Sequence, residues 1–132
     1  MKKVLIMCTG NSCRSIIAEA LINKELDNVT AMSCGVAPSG RVNPNAKKVL
    51  QEHNAWDEKY YSKHLDSVIE EDFDLLVTVC DHAKENCPLF PKPLKKIHVG
   101  FEDPDGKEYA AFEETYRLIQ NTLLQEITEH LR

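Results

Sequence analysis

The chain lacks any long apolar run. Its longest, Leu75 to Cys80, is interrupted by Thr78 and falls far short of the roughly 20 residues that a membrane-spanning helix needs. Positive charge is also in short supply: 16 Lys and Arg stand against 21 Asp and Glu, for a net charge of −5. A sequence-independent grip on nucleic acid needs a basic face, so this balance argues against that partner. None of the five glycines stands in the Gly-Lys-Ser/Thr context of a Walker loop, which argues against nucleotide binding. Only five apolar residues, Val4 to Cys8, precede Thr9 and Gly10, too few for a secretory signal core. We therefore expect a cytoplasmic location, with neither membrane nor nucleic acid as partner. The five cysteines, at 8, 13, 34, 80 and 87, are an odd set that does not suit a secreted disulfide framework. In a reducing compartment such residues point to catalysis, metal binding or packing.

What is present suits one globular domain over residues 1–132, with 42% apolar and 28% charged residues. Strands are expected at Val4–Met7, Val29–Ser33, Asp74–Cys80 and Lys96–Val99, each apolar and bounded by turn formers. A helix is expected over Cys13–Asp27, with Ile17, Ala20, Leu21 and Lys24 on one side. Asn43-Pro44 opens a second helix, an N-cap followed by proline at the first helical position, with Ala46, Val49, Leu50 and His53 facing inward. A short helical piece is expected over Ser67–Glu71. The stretch from Cys80 to Lys95, with three prolines, reads as loop. Phe112, Tyr116, Ile119, Leu123, Ile127 and Leu131 keep a helical period, so the last helix should run from Glu108 to Leu131. Alternating strands and helices imply an α/β sandwich with a mainly parallel sheet. In such sheets ligands bind at the carboxyl ends of strands, where Cys8, Cys80 and the loop after Val99 should meet.

Cys8-Thr9-Gly10-Asn11-Ser12-Cys13-Arg14-Ser15 has the pattern Cys-x5-Arg-Ser between a strand and a helix. Such a loop can curl so that its backbone N–H groups converge on one tetrahedral anion. The helix that follows adds its positive end. Arg14 supplies a fork matched to two oxygens. The same field should lower the Cys8 pKa, and Ser15 could donate a hydrogen bond to the sulfur. Thr9, Gly10, Asn11, Ser12, Cys13, Arg14 and Ser15 are thus the candidate oxyanion-binding residues, with Cys8 as nucleophile. The bland reading, a strand-to-helix turn, gives no reason for Arg at that spacing.

This loop resembles that of the low-molecular-weight protein tyrosine phosphatases and of the thioredoxin-coupled arsenate reductases that share their fold. The resemblance spans nearly the whole chain. It implies a flavodoxin-like three-layer sandwich whose four-stranded parallel sheet has the order 2-1-3-4. It also implies that Asp103, in Asp103-Pro104, protonates the departing oxygen. Cys80-Asp-His-Ala-Lys-Glu-Asn-Cys87 is similar to the Cys-x6-Cys pair of the reductases. Carried over, Cys80 attacks the Cys8 adduct, and Cys87 then attacks Cys80. Arsenate would leave as arsenite, and thioredoxin, or alternatively a glutaredoxin, would reduce the final disulfide. Phosphate or sulfate would mimic the substrate. A disulfide needs Cα atoms within about 7 Å, whereas seven residues of helix span roughly 10 Å, so the segment between Cys80 and Cys87 should bend on oxidation.

No organic cofactor is expected. The resemblance does imply a structural potassium ion, with Asn11, Glu19, Ser33 and Asp66 at the matching positions. For Asn11 the alternative is a left-handed loop residue that shapes the turn. Cys13 and Cys34 read as packed thiols. The loop from Gly35 to Asn43 has no aromatic residue, which favours a small inorganic anion over an aryl ester, although Trp56, Tyr60 and Tyr61 could form a wall. The runner-up is therefore a low-molecular-weight phosphatase. A non-catalytic oxyanion-binding protein, or a zinc module on Cys80, His82, Cys87 and His98, are the remaining alternatives. The zinc spacing is poor, since structural sites favour Cys-x2-Cys pairs.

Overall fold

The computed structural model describes residues 1–85, 87 and 93–132. Four parallel strands, β1 (Lys2–Cys8), β2 (Val29–Gly35), β3 (Leu75–Thr78) and β4 (Lys96–His98), form one sheet in the order β2-β1-β3-β4. This is the expected order. Val4 to Cys8 and Leu75 to Thr78 are buried without interruption. Successive side chains of a strand point to opposite faces, so both faces of the central strands are covered. That makes the three-layer sandwich.

Helix α1 (Arg14–Glu25) is buried from Ser15 to Ile22 and lies deep in the core. It therefore does not show the one-sided face expected of a surface helix. Ile22 is buried, and Lys24, expected to face inward, is exposed and donates to the carbonyl of His53 at 2.6 Å. Helix α2 (Pro44–Glu52) starts as its sequence dictates. Asn43 Oδ1 accepts from the amide of Asn45 at 2.8 Å, and Pro44 occupies the first turn. His53 is exposed rather than inward, yet its ring stacks on Tyr116 with centroids 4.1 Å apart.

The piece expected at Ser67–Glu71 is instead a single 3-10 turn at Leu65–Ser67, with His64 Nδ1 accepting from the amide of Asp66. A second departure follows Cys80. The segment read as loop begins with a short helix, α3 (Asp81–Glu85). The prolines that suggested loop all lie beyond it, and residues 86 and 88–92 fall outside the described residues. The last helical region is α4 (Tyr109–Leu118), a π-helical stretch Ile119–Leu123 and α5 (Leu124–His130). Phe112, Tyr116, Ile119, Leu123 and Ile127 are buried there as expected, and Leu131 is half-buried at the edge. Among the described residues no helix is long and apolar enough to cross a membrane.

The register places the strand ends together. Cys8 pairs with Gly35, Met7 with Thr78, and Thr78 with His98. The amides of Val79 and Phe101 bond to the carbonyls of Met7 and Val79 at 3.0 Å each, so the chain leaving β3 and β4 stays beside Cys8.

Cys13 and Cys34 are buried, and burial pushes both thiols from the ordinary value of 9.0 up to about 12. Buried Tyr60 and Tyr116 are displaced in the same direction. Above pH 9 the unfolded chain loses protons that the folded chain keeps, so stability must fall as pH rises from there through the folded values. We expect a loss of about 1 kcal/mol per thiol per pH unit above 9 in urea unfolding, shallower in Cys34→Ala. An unchanged alkaline slope in Cys34→Ala would contradict this.

Candidate active site

The segment Cys8–Ser15 leaves the end of β1 and wraps over the start of α1. Asn11 makes the tight curl possible by adopting φ +49°, a left-handed conformation that asparagine tolerates. Cys13 is the N-cap of α1 but makes no side-chain cap bond. An uncapped helix start keeps its amide dipoles available to an anion.

Cys8 Sγ is buried and lies 2.9 Å from Ser15 Oγ, and the Asn11 amide donates to it at 3.2 Å. Burial pushes the thiol pKa up. Hydrogen bonds from the Ser15 side chain and from the amides of Ser15 and Asn11, with the Arg14 charge, pull it down less strongly. The expectation of a lowered pKa is therefore corrected for this state: desolvation outweighs the positive loop. Arg14 is engaged beyond the loop as well. Its Nη1 donates to the Phe101 carbonyl at 3.0 Å, and its Nη2 stands 3.5 Å from Asp103 Oδ2. The guanidinium thus pairs with the loop after β4, and Asp103 comes to the anion loop with it.

The cavity above the loop holds about 220 Å³ and is lined by Cys8 to Arg14, Ser39, Asp103 and Asp105. None of these residues is aromatic. Trp56 and Tyr60 pack edge-to-face on each other at 5.8 Å, and neither they nor Tyr61 line the cavity. The aromatic wall considered from the sequence is absent from this cavity. A neighbouring cavity of about 500 Å³ shares Arg14 and Asp103 and adds Cys80 and Asp81.

Cys80 is buried beside the loop, its Sγ 3.2 Å from Thr9 Oγ1. The Ala83 amide, in the first turn of α3, donates to the same sulfur at 3.4 Å. Cys87 is half-buried and packs against the core. All five cysteines are thiols, with no disulfide among them.

Of the four residues matched to a potassium ion, three come together. Asn11 Nδ2 donates to Ser33 Oγ at 3.0 Å, and Ser33 Oγ donates to Glu19 Oε1 at 2.5 Å. Asp66 does not join them: its side chain is 82% exposed and faces His64. Asn11 Oδ1 already accepts from the amide of Lys63 at 2.8 Å. The oxygens present are turned toward protein donors, so this set does not fit a bound potassium ion. The zinc reading also finds no cluster. His98 bonds Thr78 Oγ1 through Nδ1 and Asp81 Oδ1 through Nε2, at 2.8 and 3.0 Å. Among the described residues no three His, Cys, Asp or Glu converge on one point.

Three residues that matter here, Ser62, Lys63 and Gly35, were not singled out from the sequence, and Asn43 was read only as a helix cap. Ser62 Oγ donates to the Gly10 carbonyl at 3.0 Å, and Asn43 Nδ2 donates to Asp105 Oδ1 at 2.8 Å. Lys63 is buried against Asn11. Gly35 could have been found from parallel pairing alone, because it ends β2 opposite Cys8. A Cβ there would lie 2.5 Å from the Thr9 carbonyl oxygen.

A curled loop that buries a cysteine at the carboxyl end of a parallel sheet and leads into an uncapped helix defines a cysteine-loop α/β protein. Residues 3–132 match the family described as low molecular weight phosphotyrosine protein phosphatase. The chain belongs to that family. An arsenate reductase of Bacillus cereus strain AH187 is 43% identical over 113 residues, covering 85% of this chain and 84% of its own length. An arsenate reductase of Bacillus cereus strain G9842 is 39% identical over 132 residues, covering 99% and 92%. The crystal structure of arsenate reductase from Archaeoglobus fulgidus superposes with a TM-score of 0.81 at 30% identity, covering 95% of this chain and 98% of that one.

Gly35→Ala should force the Thr9 carbonyl, and with it the anion loop, to move. We expect a stability loss of about 1–3 kcal/mol and weaker phosphate binding by calorimetry. An unchanged melting temperature together with unchanged phosphate affinity would contradict the packing described.

Proposed function

We propose that the protein is an arsenate reductase that works through a relay of Cys8, Cys80 and Cys87. The observation that carries this reading is the second thiol: Cys80 Sγ lies 3.2 Å from Thr9, the residue after Cys8. Hydrolysis of a phosphate ester needs one thiol, whereas reducing arsenate needs two electrons and hence a dithiol. The names of the relatives support the same choice, and among the described residues no aromatic side chain lines the cavity over Cys8, although Phe101 lines its neighbour.

The chemistry follows from the groups present. Arsenate enters the cradle, and Arg14 exchanges the Phe101 carbonyl and Asp103 for two arsenate oxygens. The Cys8 thiolate attacks arsenic as Asp103 protonates the departing oxygen, which leaves as water. Cys80 then attacks the Cys8 sulfur. The S–As electron pair passes to arsenic, which leaves as arsenite, and a Cys8–Cys80 disulfide forms. Cys87 attacks Cys80 and returns Cys8 as a thiolate. The Cys80–Cys87 disulfide is reduced by an external dithiol, for which thioredoxin is our proposal and a glutaredoxin the alternative. The relay requires a reducing compartment, which fits the cytoplasm.

The family also supports a second reading, hydrolysis of phosphate monoesters, because Cys8, Arg14 and Asp103 would serve its first step equally well. The two readings separate in one assay. With a thioredoxin system, the wild type should turn over arsenate repeatedly, and Cys8→Ser, Cys80→Ser and Cys87→Ser should each lose about a hundredfold or more. Full multiple-turnover activity in both Cys80→Ser and Cys87→Ser would overturn the relay. Turnover of aryl phosphate alone would favour the phosphatase.

A further inference from the structure

The turn that carries Asp103 is tied to the rest of the site through Asn43, a residue the mechanism above does not use. Asn43 stands where the loop after β2 enters α2. Its amide donates to the Ser12 carbonyl at 3.0 Å, which fixes its backbone against the middle of the anion loop. Its Oδ1 accepts from the Asn45 amide at 2.8 Å as the cap of α2, and its Nδ2 donates to Asp105 Oδ1 at 2.8 Å. The side chain cannot be turned over: a flipped amide would set its NH2 against an N–H and its oxygen against a carboxylate. The cap therefore aims the donor at Asp105.

Asp105 passes that constraint to Asp103. Its amide donates to Asp103 Oδ1 at 3.0 Å across Pro104, which is buried. The Lys107 amide closes the turn on the Pro104 carbonyl at 2.9 Å, and Gly106 takes the φ of +82° that such a turn needs. Proline fixes its own φ, so little freedom remains between the two aspartates. Oδ1 of Asp103 is met by an amide, which can only donate. The acid hydrogen therefore belongs on Oδ2, the oxygen that stands 3.5 Å from Arg14 Nη2 at the cavity.

Burial does not hold Asp103 in place, because its side chain is 51% exposed. Two ties do: the Arg14 contact on one oxygen and the Asn43–Asp105 bond, acting through the turn, on the other. In the reaction described above, Arg14 turns to the arsenate oxygens. The first tie is then released just when the Cys8–arsenic bond forms and the Oδ2 proton passes to the oxygen that leaves as water. The second tie remains.

We propose that Asn43 is a positioning residue for this proton transfer: by clasping Asp105 it keeps Asp103 Oδ2 over Cys8 after Arg14 has turned to the anion. The proposal rests on Asp103 as the acid opposite Cys8, a step shared by both readings above, and not on the Cys80–Cys87 relay.

The test follows arsenite release in a single turnover and, in parallel, hydrolysis of phenyl phosphate, in which the same acid protonates phenoxide and the relay is not needed. Phosphate affinity is taken by calorimetry. Asn43→Asp keeps an acceptor for the Asn45 amide, since aspartate caps a helix as well as asparagine does, but it loses the donor and faces Asp105 with a like charge. It should slow both reactions about tenfold, while phosphate affinity stays within about threefold of wild type. Asn43→Asp combined with Asp105→Asn reverses the polarity of the pair, so that the amide stands on the turn and the carboxylate on the cap. Its rates should return to within about threefold of wild type. In an Asp103→Asn background, Asn43→Asp should cost less than about twofold more, because no acid is left to position. Four results would overturn the proposal: wild-type rates in Asn43→Asp on both substrates, a polarity-reversed variant no faster than Asn43→Asp, a full loss that persists in the Asp103→Asn background, or a rate loss matched by an equal loss of phosphate affinity. Failure of the reductase reading appears separately, as a wild type that hydrolyses the ester but releases no arsenite, and the variants are then decided on the ester. A wild type inactive on both substrates overturns the proposal together with its premise.

Discussion

A sulfur buried at the end of the central strand can become an anion only where its surroundings stabilise the charge. Everything around Cys8 answers that constraint. The desolvation that raises its pKa is opposed by two amides, one hydroxyl and one guanidinium, which Asn11, Arg14 and Ser15 supply between them. The sheet delivers the position, the left-handed Asn11 delivers the curl, and the uncapped start of α1 delivers the field. The bare Cα of Gly35 lets β2 approach the Thr9 carbonyl. Without that approach the loop has no wall to fold against.

Arg14 links this constraint to the rest of the site. Its guanidinium donates to the Phe101 carbonyl and stands beside Asp103, so the loop after β4 is drawn over the cradle. Cys80 is held in a similar way, between Thr9 Oγ1 and the first turn of α3. Its sulfur is stored at the loop while buried from solvent, which suits a thiol that is needed only after the first adduct has formed.

The strands and the main helices were legible in the sequence because their signals are local and periodic: apolar runs bounded by turn formers, Asn43-Pro44 at a helix start, a helical stripe from Phe112 to Ile127; the strand order came from the family resemblance. The Cys-x5-Arg-Ser pattern made the cradle legible too. What sequence missed depends on partners far along the chain. Lys24 and His53 share a helical phase with buried residues, but a carbonyl and a ring from other elements keep them at the surface. The helix at Asp81–Glu85 was hidden by prolines that lie beyond it. Lys63 gave no local signal, because nothing in Ser62-Lys63-His64 says that the backbone amide of this residue reaches Asn11. Asp66 was carried over by resemblance alone, and the loop that bears it turns outward.

The central claim is that the sulfur of Cys80 reaches the sulfur of Cys8 once arsenic is bound. Reacting reduced Cys87→Ser protein with arsenate, without external reductant, and mapping disulfides by mass spectrometry tests it most directly. The account predicts one arsenite per chain and a trapped Cys8–Cys80 disulfide. Arsenite formed with Cys8 paired to Cys13 instead, or with no disulfide at Cys80, would contradict it.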